Sequence, residues 1–336
     1  MRPPVTALTR PPAWLGGGTH VRQMVDTVQR HGTVGDRVVV VGSLRGGSAD
    51  VRLPAAVTQR LGAPALRALG TVLWRNQCVH RISIDIPPAR HEIVSILDLA
   101  PRHFPDEGTL PRVLADQARR ARGVVVSTQR IADEVRAELR VERVWLVPPA
   151  VDGRFFDQGP VEGHRRPYVL HVGGATRRKG VDALAAAWPA IRAAEPELEL
   201  VMVGPPHPTG RAGLIGEPGV VWRGQVDNKE LPSLMAGAGA VVVPSTYEGF
   251  GMPVAEAMAV GTPVVVIAGT APAEVGGAVA FTADADGGAD ALAAAVVAAV
   301  GEHDGRRLAA GRSAAALWSV DAVGQMQLAA YDEAFG

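Results

Sequence analysis

The residues of this chain best placed to do chemistry lie in one contiguous stretch, Val242–Val266, VVPSTYEGFGMPVAEAMAVGTPVVV. Glu248 and Glu256 stand eight positions apart in it, on either side of the glycine-rich segment Gly249-Phe250-Gly251. Neither glycine puts a side chain in a ligand's way. Pro253 suits the first turn of a helix and Gly261 suits the position just past its end, so the pattern predicts strand, loop, helix, strand. Met252 is the expected N-cap and is a poor one, which leaves the first backbone N–H groups without a side-chain acceptor. Such a helix start favours an anion such as a phosphate. Glu256 is expected in the first turn, where a carboxylate suits the helix dipole and can accept hydrogen bonds from paired hydroxyls, as on a ribose. Glu248, in the loop, can do the same for a second polyol. A diphosphate between two polyols is a nucleotide sugar. Either glutamate alone reads more simply as a solvated surface acid; the block as a whole does not.

A second constellation is HVGGATRRKG, residues 171–180. It follows an apolar run and precedes a helical pattern, which places Gly174, Arg177, Arg178 and Lys179 at a strand's carboxyl end. Positive charge there can hold a diphosphate and stabilise charge building on a diphosphate leaving group. A third is WLGGGTH, residues 14–20, where Gly16, Gly17 and Gly18 form a turn able to approach phosphate or acceptor. It is not a GxGxxG fingerprint, and no acid ends the following strand, so a dehydrogenase-type dinucleotide site is poorly supported. In SILDLAPRHFPDEG, residues 95–108, Asp98 falls at a strand's carboxyl end, where it can act on substrate or cap the next turn. The nine histidines show no metal-ligand spacing and no acidic pair stands at a strand end, so no metal is expected.

The elements that must position these residues alternate strand and helix throughout, as in parallel-sheet α/β proteins. In the first half, strands are expected near Val5–Leu8, Val38–Gly42, Ile93–Leu97, Val124–Ser127 and Val144–Val147. Helices are expected at Thr19–Arg30, Pro111–Ala121 and Gln129–Leu139. Residues 43–92 read poorly beyond a helix near Leu53–Leu69. Pro148-Pro149 marks a break, and Asp152–Pro167 reads as a linker. Strands then follow at Tyr168–Val172, Leu198–Val203, Val220–Trp222, Ala240–Val243 and Val264–Ile267, with a helix over Val181–Ala194. The chain ends in an amphipathic helix, Asp321–Phe335, with Val323, Met326, Leu328, Ala330, Tyr331 and Phe335 as its apolar members. The expected organisation is residues 1–150 as one domain, 165–320 as the second, and the helix 321–335 returning to the first.

At 336 residues the chain is long enough for two cores. Net charge is zero, but residues 1–150 hold 21 arginines and 13 acids while residues 151–336 hold 13 basic and 21 acidic residues. The excess of +8 in the first half suits an anionic partner, either a phosphorylated acceptor or a phospholipid surface, or simply attraction between the halves. Scattered basic residues with few aromatics argue against nucleic acid. No apolar run reaches spanning length, no signal-peptide pattern opens the chain, and Cys78 is the lone cysteine. A cytoplasmic protein, with peripheral contact at the inner membrane face through the basic half, is the expectation.

These motifs resemble the retaining glycosyltransferases of family four, which adopt the GT-B fold of two Rossmann-like doubly wound domains facing across a cleft. The match rests on E-x7-E at Glu248 and Glu256 within PSTYEGFGMPVAEAMAVGTPVV, and on Arg178-Lys179 in VGGATRRKG. It extends to GGGTHVRQMV, PPAVD, VVWRGQVDNKELPSLMAGAGAVVVPS and the terminal helix. The resemblance implies that Glu256 binds ribose, that Glu248 and Gly249–Gly251 meet the donor sugar, and that Arg178 and Lys179 meet the diphosphate. It also implies that Gly224–Val226 faces the base, and that Gly16–Gly18 lies near phosphate or acceptor. It further implies transfer from a GDP- or UDP-sugar to an acceptor hydroxyl on a glycan, lipid-linked sugar or small molecule, with retention and without a metal or other cofactor. One departure is marked: leucine stands at Leu97, before Asp98, where the family carries a histidine. Gly174 also replaces a frequent arginine. The alternatives are a GT-B epimerase or phosphorylase, and a catalytically silent partner of an active transferase.

Overall fold

The computed structural model describes residues 2–10, 17–43 (backbone alone for 17–23), 49–54, 61–158, 168–174, 176–205, 214, 216–302 and 304–336. The chain divides into two compact units, Met1–Ala150 with Val320–Gly336, and Val151–Ser319.

The first unit is built on a parallel sheet of strands β1 (Val5–Thr9), β2 (Arg37–Ser43), β3 (Val51–Leu53), β4 (Cys78–Arg81), β5 (His91–Ser95), β6 (Val124–Val126) and β7 (Val144–Leu146), in the order β3-β2-β1-β4-β5-β6-β7. Runs such as Val124–Val126 are buried on both faces, as parallel strands covered by helices must be. The order reverses between β1 and β4, the doubly wound signature. The terminal helix Val320–Phe335 packs on the helix Gly17–His31 of this unit. Tyr331 fixes it: its hydroxyl lies 2.8 Å from Nδ1 of buried His80, whose Nε2 is 2.8 Å from Ser95 Oγ. Gln327 rather than Met326 turns inward on that helix; Met326 is exposed, because the buried stripe runs through Val323, Gln327, Ala330, Tyr331 and Ala334.

The second unit carries β8 (Tyr168–Val172), β9 (Glu199–Val203), β10 (Val220–Gly224), β11 (Ala240–Val243), β12 (Val264–Ile267) and β13 (Phe281–Ala283). All pairings are parallel, in the order β10-β9-β8-β11-β12-β13. The reversal falls between β8 and β11, which puts the loops after those two strands at the switch point where doubly wound sheets bind ligands. The helices Val181–Ala194 and Gly288–Val300 cover one face through Leu184, Trp188, Ile191, Leu292 and Val296. The helix Met252–Val260 lies against the other face, and every residue from Val254 to Val260 is buried.

Several expectations are corrected. Residues near Leu53 form the end of β3, and the helix begins only at Ala63, behind Gly62 and with Pro64 in its first turn. Residues 55–60 of that expected helix lie outside the described residues. Strand β4 gave no apolar alternation because two of its four residues, His80 and Arg81, are buried and polar, each fully hydrogen-bonded. The supposed linker contains the helix Gly153–Gln158, whose Phe155 enters the core of the second unit. The helix expected from Pro111 starts at Leu114.

Candidate functional site

The loops after β8 and β11 meet through their backbones. Arg177–Lys179 form a turn of 3₁₀ helix, and the carbonyl of Arg178 accepts a hydrogen bond from the N–H of Thr246 at 2.9 Å. Gly180 makes this approach feasible. Its φ is +68°, and a Cβ there would lie 1.9 Å from the carbonyl oxygen of Pro244. The sequence therefore fixes the cationic turn against the Pro244–Glu248 loop with no room to spare.

Glu248 occupies the join. Lys179 Nζ donates to its Oε1 at 2.5 Å, Ser245 Oγ to the same oxygen at 2.9 Å, and Arg178 Nη1 lies 3.3 Å from Oε2. Burial pushes the carboxyl up, but the Lys179 ammonium and Arg178 guanidinium outweigh it and hold the group below its ordinary range. Glu248 thus stays ionised as the counter-ion of both cations. Close by, His171 is buried, donates from Nδ1 to the Val242 carbonyl (3.1 Å), and has no partner at Nε2 among the described residues. Burial lowers its pKa to about 4, so the ring is neutral beside Lys179.

The helix Met252–Val260 begins behind this pair. Gly251, not Met252, is the N-cap, with φ +104°, a conformation that leaves no side chain to cap the helix. Met252 and Pro253 occupy the first two helical positions, so the leading amides have no side-chain acceptor. Glu256 is therefore one residue deeper than the sequence suggests, the fifth helical residue rather than the fourth, and lies just past the first turn. Its side chain is buried and receives no hydrogen bond from the described residues. Burial raises its pKa to about 7; the Arg154 guanidinium lowers it and Asp152 raises it. Arg154 is held by Asp152 (2.6 Å) and by the carbonyl of Asn228 (3.2 Å). It stands between Glu256 and the loop after β10, where Val226 is half-buried against the same core.

Phe250 is buried edge-on against Trp318, which makes it part of the core rather than a free wall of the loop. Gly174 lies two residues past the end of β8, and Arg177 shows no pairing among the described residues. In the first unit, Gly17 and Gly18 are the opening residues of the helix Gly17–His31, not a loop, and Gly16 lies outside the described residues. Asp98 accepts from the Ala100 N–H at 2.9 Å and so starts the short helix Ala100–His103. The sequence missed one group: His103, Glu134 and Glu138 bring three metal-capable side chains within 4.8 Å. It brings distant His103 onto two acids one helical turn apart, and Glu138 is already paired with Arg102 at 2.8 Å.

Residues 166–302 match the family described as glycosyl transferases group 1. Over 142 residues the chain is 37% identical to an MMP α-(1→4)-mannosyltransferase from Mycolicibacterium hassiacum, covering 40% of this chain and 34% of that protein. The chain thus spans about a third of that curated relative. The fold is shared over nearly all of both chains with sucrose-phosphate synthase from Thermosynechococcus elongatus, at a TM-score of 0.76, 20% identity and 99% coverage of each. It is shared also with Anabaena HepE in complex with UDP and glucose, at a TM-score of 0.70, 16% identity, and 98% and 99% coverage. The architecture is the two-domain, Rossmann-like GT-B fold.

Proposed function

We propose that the chain is a retaining, family-four glycosyltransferase that moves a sugar from a nucleotide diphosphate donor, a GDP- or UDP-sugar, to an acceptor hydroxyl. The observation that carries this reading is the convergence at the β8/β11 switch point. Arg178 and Lys179 on one loop, Glu248 on the other and the uncapped helix start at Met252 gather there, with buried Glu256 one turn behind. The pyrophosphate takes the helix amides and the two cations, displacing Glu248 as their counter-ion. Glu248, so released, and the Gly249–Gly251 backbone meet the donor sugar. Glu256 accepts from the ribose hydroxyls, which gives its carboxylate the hydrogen bonds it lacks. The loop through Val226 faces the base.

On this reading the donor's anomeric C–O bond breaks toward the diphosphate, whose charge is stabilised by Arg178, Lys179 and the helix dipole. The acceptor hydroxyl attacks on the same face and its proton passes to the departing diphosphate. These groups supply positive charge at the leaving group without calling on a metal. A glycan, a lipid-linked sugar or a small molecule serves as acceptor, and the basic first unit suits a peripheral site at an anionic membrane. No helix among the described residues is long and apolar enough to cross a membrane.

The test is donor turnover in Glu256→Ala and, separately, Lys179→Ala. Each is expected to lose about two orders of magnitude, Lys179 on the scale of one transition-state electrostatic contact and Glu256 on that of charge-assisted hydrogen bonds to the ribose; unchanged turnover in both removes the reading. The second reading, a silent partner subunit, draws on Leu97. It gains ground if nucleotide diphosphate binds to the wild-type chain, no donor is consumed by it alone, and activity appears only beside another transferase. An epimerase instead alters the donor with no acceptor present.

A further inference from the structure

The first unit contains a cavity of about 300 Å³ that no step above uses, at the small end of ligand sites, which run from about 300 to 1,000 Å³. Its walls are the helix Ala63–Leu73, the segment Pro88–Arg90 leading into β5, and the helix Leu114–Arg120 leading toward β6. Each of these walls precedes a strand, β4, β5 or β6, whereas ligands of doubly wound sheets gather after their strands. The cavity is therefore separate from the chemistry expected of this fold.

Its lining is cationic and rigidly built. Arg67, Arg90 and Arg120 face it. Asp116 bridges two of them, accepting from Arg67 Nη1 at 2.5 Å and from Arg120 Nε at 2.9 Å. The surrounding arginines, Arg120 first, hold the Asp116 carboxyl below its ordinary range. Each guanidinium has five N–H donors, so this bridge orients two forks and leaves most of their donors unspent. Arg90 is exposed and has no ion-pair partner among the described residues.

Glu92, the one acid among the described lining residues, does not oppose an anion. Both of its oxygens are taken by buried Arg81 (2.9 and 3.0 Å), and one also by the N–H of Ala89. Gln117 gives its carbonyl oxygen to Arg81 at 2.9 Å, which turns its amide NH₂ away as a further donor. The wall cannot collapse easily. Trp74 Nε1 donates to the Pro87 carbonyl, and the helix packs so closely at Gly70 that a Cβ would lie 1.9 Å from the Pro88 carbonyl oxygen.

We propose that this cavity is a second ligand site that takes a phosphate group, mono- or diester, between Arg67, Arg90 and Arg120. It gives the arginine excess of residues 1–150 a defined place to act. The phosphate belongs either to a free phosphorylated molecule or to a lipid headgroup.

The test uses the full chain and the double variant Arg90→Ala/Arg120→Ala, both exposed positions outside the proposed transfer site. Calorimetric titration with inorganic phosphate and with glycerol phosphate is one arm. Co-sedimentation with phosphatidylcholine vesicles containing phosphatidylglycerol is the other. Saturable binding in either arm, weakened about tenfold or more in the double variant as expected for lost charge-assisted contacts, supports the site. The arm in which it appears names the source of the phosphate. Urea unfolding of both proteins serves as the control for folding, with equal midpoints expected whether or not the transferase reading holds. Absence of saturable binding in both arms, or equal binding by wild type and variant, overturns the proposal.

Discussion

Replacing Glu256 by Gln tests the unusual electrostatics of the helix Met252–Val260. Burial lifts the Glu256 carboxyl from 4.5 to about 7. The folded chain therefore holds a proton that the unfolded chain has already released across that interval. Stability must fall as pH rises from the unfolded value toward the folded one, then level off. A shift from 4.5 to about 7 corresponds to about 3 kcal/mol lost at alkaline pH. Glutamine keeps the shape and removes the titration. The variant's stability relative to wild type is expected to grow by about 2–3 kcal/mol between about pH 5 and pH 8. Urea titration at both pH values reads this, followed by tryptophan fluorescence with Trp188, buried in the same unit, among the reporters. A gap that stays constant with pH, or a wild type that gains on the variant at pH 8, refutes the reasoning. Ligand binding has the opposite sign. Hydroxyls that donate to the carboxylate favour its ionised form, so nucleotide diphosphate affinity in wild type is expected to rise through pH 7 and to be flat in the variant.

Three further outcomes follow from the same geometry. Arg154→Ala removes the cation that stands beside Glu256; the pH at which nucleotide affinity rises is expected to move upward, and a downward or absent shift counts against the arrangement. Gly180→Ala forces a Cβ onto the Pro244 carbonyl at a left-handed φ, and is expected to cost more than about 2 kcal/mol in urea unfolding. Tyr331→Phe leaves a ring nitrogen of buried His80 without its partner, at a cost of about 1–3 kcal/mol read in the same assay on the first unit.

The local geometry of the two candidate-site segments is legible because their glycines and proline dictate it. The Val-rich strands β11 and β12, and the helix between them, follow directly from the letters. What the letters did not carry is pairing across the sheet. Nothing in residues 171–180 says that Lys179 and Arg178 close on Glu248, nearly seventy positions away, because that contact depends on β8 lying beside β11. Glu256 lies one residue deeper than the letters suggest because Gly251 caps the helix through its backbone, a role that side-chain preference does not reveal. Strand β4 was missed because its buried His80 and Arg81 imitate a polar loop until their partners in β5 and the terminal helix are known. The His103, Glu134 and Glu138 group escaped for the same reason: its members are neighbours in space and not in register.

The hydrogen bond between His80 and Tyr331 spans 251 positions of the chain. A ribosome making this protein delivers all of β1–β7 well before the segment that completes their packing. Residues 151–319, by contrast, are contiguous and can settle as soon as they emerge. The unit synthesised first is therefore the last to be finished. Until Val320–Phe335 arrives, Nδ1 of His80 must find its hydrogen bond in water or in a chaperone.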